Sequence, residues 1–128
     1  MGLGEYMAKE IIREIGNRSR EFYEFIMPAI DMVEIGSELV VTIDLPGFAK
    51  EDIALRIDGN ILSINAKRQT ADDLYTTYYR QRPVRISKKV ILPISISDDE
   101  KIVGTAKYES GVIILRVPIA KSSNITIV

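Results

Sequence analysis

Residues 39–48 read Leu39-Val40-Val41-Thr42-Ile43-Asp44-Leu45-Pro46-Gly47-Phe48, and this stretch decides the fold. Leu39, Val41 and Ile43 alternate with Val40, Thr42 and Asp44. Successive side chains of a strand point to opposite faces, so this is a half-buried β-strand. Leu45-Pro46-Gly47-Phe48 stops it with turn residues, because proline fixes φ and glycine accepts angles other residues avoid.

The same two-residue period recurs on both sides. Ile30 and Met32 flank Asp31. Ile53, Leu55 and Ile57 alternate with Ala54, Arg56 and Asp58, and Leu62, Ile64 and Ala66 alternate with Ser63, Asn65 and Lys67. Val84, Ile86, Val90 and Leu92 recur on one face, interrupted by Lys88. Ile102, Gly104 and Ala106 alternate with Thr105 and Lys107, and Ile113, Leu115 and Val117 with Ile114 and Arg116. Gly36-Ser37, Asp58-Gly59-Asn60, Ser97-Asp98-Asp99-Glu100 and Glu109-Ser110-Gly111 supply the turns. Seven short strands with no helix between them predict an antiparallel sandwich or barrel.

Residues 1–27 follow another period. Leu3, Met7, Ile11, Ile15, Phe22 and Ile26 recur at helical spacing with Glu10, Arg13, Glu14 and Arg20 between them. This predicts an amphipathic helix, broken near Gly16-Asn17 and ended by Pro28. Its stripe is either a surface for other chains or a face docked on its own β domain. Residues 68–82 interrupt the β rhythm with a polar loop carrying Leu74, Tyr75, Tyr78, Tyr79, Arg80 and Arg82. Loops of this length in compact domains are functional or pair elsewhere. After the polar linker Ala120-Lys121-Ser122-Ser123-Asn124 come Ile125-Thr126-Ile127-Val128. Ile125 and Ile127 share one side of an extended segment, the arrangement that strand addition to a neighbour's sheet edge requires.

Composition excludes much chemistry. The 128 residues include no His, no Cys and no Trp. There is no imidazole base, no thiolate, no disulfide, and no His or Cys ligand for a metal. Asp72-Asp73 and Asp98-Asp99-Glu100 are adjacent loop carboxylates, which read as solvated turns rather than acid/base pairs. We expect no enzyme and no cofactor. The net charge of −1 exerts no global pull on nucleic acid or anionic lipid. No apolar run approaches the roughly 20 residues of a membrane span, and no uninterrupted apolar segment marks a leader, so no integral membrane association and a cytoplasmic location are expected. Twenty-one Ile and nine Val against eight Leu favour sheets, and four Asn with two Gln is thermophile-like usage.

Taken together, the layout resembles an archaeal-like small heat-shock protein. Val41-Thr42-Ile43-Asp44-Leu45-Pro46-Gly47-Phe48, Val90-Ile91-Leu92-Pro93, Ala106-Lys107-Tyr108-Glu109-Ser110-Gly111-Val112-Ile113 and Ile125-Thr126-Ile127 resemble, in order, four motifs of that family. Ser110 stands where the family usually has Asn, and Ile113 where it has Leu. The resemblance implies an all-β, immunoglobulin-like sandwich, the alpha-crystallin domain, over 28–119. An N-terminal helical arm would occupy 1–27 and an extended C-terminal tail 120–128. It implies an ATP-independent holdase of the stress response, built as a dimer-based homo-oligomer that binds partly unfolded client proteins. It further implies a client-binding arm (Met7, Ile11, Ile15, Phe22, Phe25, Ile26) and a strand-exchange loop (Leu74, Tyr75, Tyr78, Tyr79, Arg80). Lys88 would lie at the dimer interface, where the family usually has an Arg whose bidentate contacts Lys cannot copy. The tail motif Ile125 and Ile127 would enter a groove formed by Leu55, Ile57, Gly104 and Ala106. The alternative from another class is a β-barrel nucleic-acid module, its loop tyrosines stacking bases and its arginines meeting phosphates.

Overall fold

The computed structural model describes residues 2–94, 96, 104–119 and 125–128. Among the described residues one helix, α1 (Leu3–Ile26), precedes seven strands: β1 (Ile30–Ile35), β2 (Glu38–Asp44), β3 (Ile53–Asp58), β4 (Ile61–Lys67), β5 (Arg85–Ile91), β6 (Thr105–Glu109) and β7 (Val112–Pro118). A 3-10 turn over Lys50–Asp52 leads into β3. All strand pairs are antiparallel. One sheet has the order β1-β2-β7-β6 and the other β3-β4-β5, so the architecture is a sandwich.

The core follows from the alternation. Leu39, Val41, Ile43, Leu62, Ile64, Ala66, Ile86, Ile113, Leu115 and Val117 are buried, each on the inward side of its strand. Leu45, Phe48 and Leu92 join them from the segments just beyond strand ends. The motif residues close one end of the sandwich. The Leu45 amide donates to the Gly111 carbonyl at 2.8 Å. The Tyr108 hydroxyl spans the Leu45 and Phe48 carbonyls at 2.6 and 2.9 Å. A Cβ on Gly111 would lie 3.0 Å from Pro46 Cα, and its φ of +78° is itself a glycine conformation.

Three local expectations are corrected or fall outside the description. The helix does not break at Gly16-Asn17; α1 runs unbroken through both. Gly16 is there for contact: a Cβ would meet the Arg80 amide nitrogen at 3.0 Å and the Tyr79 ring at 3.1 Å. β6 begins at Thr105, and Ala106 is exposed rather than covered by the core. Ile102, the turn at Ser97-Asp98-Asp99-Glu100 and the linker Ala120 to Asn124 lie outside the described residues.

Candidate functional site

Three surfaces of the described residues carry the candidate site residues. The first is a groove between the edge strands β3 and β6. Ile53, Leu55, Ala106, Tyr108 and Ile113 line a cavity of about 220 Å³, and Lys50 completes the wall. Ala106 stands opposite buried Leu115, so it faces inward, yet it is exposed because no described residue lies over it. The groove is shaped by the Tyr108 ring, whose hydroxyl is fixed on the Leu45–Phe48 turn. Leu55 and Ala106 are brought together as two of its walls. Ile57 packs against the core without lining the groove, and Gly104 serves a close backbone approach, since a Cβ there would sit 2.5 Å from the Arg116 carbonyl oxygen. Lys50, Ile53, Tyr108 and Ile113 were not legible as groove residues, because the pairing of two separate edges is a tertiary fact. Ile125 and Ile127 stand 88% and 93% exposed outside it.

The second surface is the segment between β4 and β5. No strand forms there among the described residues. Its base is clamped: the Arg68 guanidinium donates to the Pro83 carbonyl at 2.7 Å and the Arg82 carbonyl at 3.1 Å. Burial first, then the neighbouring Arg82 and Arg80 charges, lowers the Arg68 pKa. Arg80 pairs with Asp72 at 2.6 Å and also reaches the Thr77 hydroxyl. The hydrogen bond from Arg80 holds the Asp72 carboxyl below its usual range, and Asp72 raises Arg80 in turn. Leu74, Tyr75, Tyr78 and Tyr79 project into solvent.

The third surface is α1, which docks with its polar side. Lys9, Glu10, Arg13, Asn17, Ser19, Arg20, Tyr23 and Glu24 are the half-covered positions around buried Gly16. The Glu24 carboxylate accepts from the Val84 and Arg85 amides at 2.7 and 2.9 Å. The Lys88 ammonium donates to the Ile26 carbonyl at 3.1 Å, a cation at the negative end of the helix dipole. Lys9 lies 5.4 Å from the centroid of the Tyr78 ring. The apolar stripe of Leu3, Met7, Ile11, Ile15, Phe22, Phe25 and Ile26 therefore faces away from the chain and is exposed. Of the two readings of this stripe, its docking on the chain's own β domain is absent from this arrangement. No helix among the described residues is long and apolar enough to cross a membrane.

The chain is similar to proteins of one family. The model of the Hsp20/alpha crystallin family matches residues 31–127. A crystal structure of a mutant of Hsp14.1 from Sulfolobus solfataricus P2 superposes with a TM-score of 0.71 at 44% identity, covering 94% of this chain and 97% of that one. The 18 kDa heat shock protein of Streptomyces albus G is 31% identical over 72% of this chain and 64% of its own length. Small heat shock protein C4 of Rickettsia felis is 28% identical over 74% of this chain and 58% of its own. The chain thus spans under two-thirds of the length of these last two relatives. Small heat shock proteins are chaperones that work without ATP, and they are not enzymes. The motifs at the closed end of the sandwich, the shared architecture and the family match agree: this chain belongs to the Hsp20/alpha crystallin family.

Proposed function

We propose that this chain is an ATP-independent holdase of the cytoplasm that keeps partly unfolded proteins from aggregating, and that it works as a dimer-based oligomer. The observation that carries this is the outward apolar stripe of α1. A helix that docks through Gly16 and Glu24 keeps its Met, Ile and Phe side chains free for other surfaces. Contiguous exposed apolar area marks an interaction site, and flexible Met and aromatic contacts suit partners of varied shape.

Assembly uses the other two surfaces. Ile125 and Ile127 of one copy enter the β3–β6 groove of another, adding a strand to an open edge. Among the described residues the free edges are β1 and β6 in one sheet and β3 and β5 in the other. β5 carries Lys88 and Lys89, charges that discourage pairing, so β1 is the edge left for the loop of a second copy. In this dimer Lys88 lies beside the partner's exchanged segment. Against the nucleic-acid alternative, Arg68 and Arg80 are engaged with backbone carbonyls and with Asp72 rather than displayed for phosphate.

The test compares the full chain with residues 28–128 in a client-aggregation assay without nucleotide. The full chain holds the client soluble and the shortened chain holds it poorly. Equal protection by both removes the arm from the account.

A further inference from the structure

The helix and the loop are not independent surfaces. α1 contacts the segment that strand exchange would use at two points, and a third contact anchors the helix where that segment runs into β5. Gly16 lets the helix approach the Tyr79–Arg80 backbone to contact distance. Lys9 lies near the Tyr78 ring. Glu24 ties down the Val84 and Arg85 amides where the segment enters β5. Arg13, Asn17, Asp72, Tyr75, Thr77 and Arg80 line an open cleft of about 290 Å³ between helix and loop.

A loop held this way cannot also lie extended along the β1 edge of a second copy. Strand pairing needs the backbone amides and carbonyls of 74–80 free and in line, whereas here the backbone turns. The Leu74 amide donates to the Ala71 carbonyl at 2.9 Å, and the Tyr75 hydroxyl accepts from the Ala71 amide. Asp72 and Arg80, eight residues apart, are closed on each other by their ion pair. In a strand they would be roughly 26 Å apart.

We propose that the polar face of α1 is an intramolecular latch on residues 75–85, and that the latched loop and the strand-exchanged dimer are mutually exclusive states. This rests on the strand-exchange reading of the loop. Whatever loosens α1 frees two things at once: the loop for its partner, and the arm with its apolar stripe for a client. The coupling is reciprocal, because a loop captured by a partner leaves the helix without its docking site. The bland role for the same contacts is a helix merely propped on a passive loop. In that case freeing the loop would leave the dimer equilibrium where it was.

The test is Gly16→Gln in the full chain. Glutamine favours helix over glycine, adds no apolar surface and lies outside the β domain, so the variant keeps α1 and the sandwich. Its side chain has no room against Tyr79 and Arg80. Hydrogen exchange at residues 75–85 reports the latch, and native mass spectrometry over a dilution series reports the monomer–dimer midpoint. The latch predicts faster exchange at 75–85 at monomer-favouring dilution and a midpoint at least tenfold lower in concentration than the parent's. Faster exchange with an unchanged midpoint overturns the latch while leaving the dimer reading standing. Monomers alone, for parent and variant at every concentration, overturn the strand-exchange reading and the latch with it. Unchanged exchange at 75–85 in the variant shows that Gly16 does not hold the loop, and the latch falls.

Discussion

Replacing Ile125 and Ile127 together by Ala should take the assembly down to dimers. Both side chains are almost fully exposed in the single chain, so docking can bury nearly all of their surface. Burying each is worth roughly 1.5–3 kcal/mol, or about 3–6 kcal/mol per tail. The groove can take apolar side chains, since Ile53, Leu55, Ala106 and Ile113 line a volume open to solvent. That volume is about 220 Å³. Against this stands the ordering of residues 125–128, at about 1–2 kcal/mol of backbone entropy per residue, offset in part by edge hydrogen bonds of about 1 kcal/mol each. The net per tail is small, and the double substitution removes more than that net. Many weak tails hold an oligomer together by multivalency, so losing all of them collapses it. Size exclusion with light scattering, alongside far-UV circular dichroism, reads the outcome. The parent should run as a large oligomer and the variant as a dimer with unchanged β content. A variant of parental size would refute the tail–groove reasoning.

Three further outcomes follow from particular contacts. Tyr108→Phe leaves the Leu45 and Phe48 carbonyls without their shared donor, and should lower stability by about 1–2 kcal/mol, roughly 5–10 °C in the melting of the β domain by calorimetry. Ser110 holds φ +53° before Gly111 at +78°, a hairpin turn that Asn accepts more readily, so Ser110→Asn should gain about 0.5–1 kcal/mol in chemical denaturation. The Asp72 pKa is lowered, first by the Arg80 hydrogen bond. The ordering this pair gives the loop is therefore present at neutral pH and is lost as pH falls below about 4. An NMR titration of the Asp72 carboxyl should return toward its usual midpoint in Arg80→Ala, and an unmoved midpoint would deny the pair.

Much of the fold was legible because the β period is local. Leu39, Val41 and Ile43 could face only one way together, and Gly59 and Gly111, both at positive φ, sit in the turns their neighbours advertise. What the alternation does not carry is which strands share a sheet: β2 pairs with β7, far along the chain, with the same pattern it would show beside β3. The groove was half legible for the same reason. Leu55 and Ala106 belong to edges, but only the stacking of two sheets sets Tyr108 and Ile53 beside them. Glycine in a helical pattern signals a break by propensity alone, whereas the actual cause of Gly16, the backbone of Tyr79 and Arg80, lies more than sixty residues away. Glu24 is unremarkable in sequence for the same reason, since its acceptor role depends on the amides of Val84 and Arg85.

The outward stripe of α1 is the surface proposed to meet the client. A photo-crosslinking amino acid placed singly at Ile11, Phe22 or Phe25, and at Asn17 or Arg20 on the docked side, tests it in the full chain with a thermally unfolding client. Client adducts are expected from Ile11, Phe22 and Phe25, with few from Asn17 and Arg20. Adducts mainly from the docked side, or none from α1 while the client stays soluble, would contradict it.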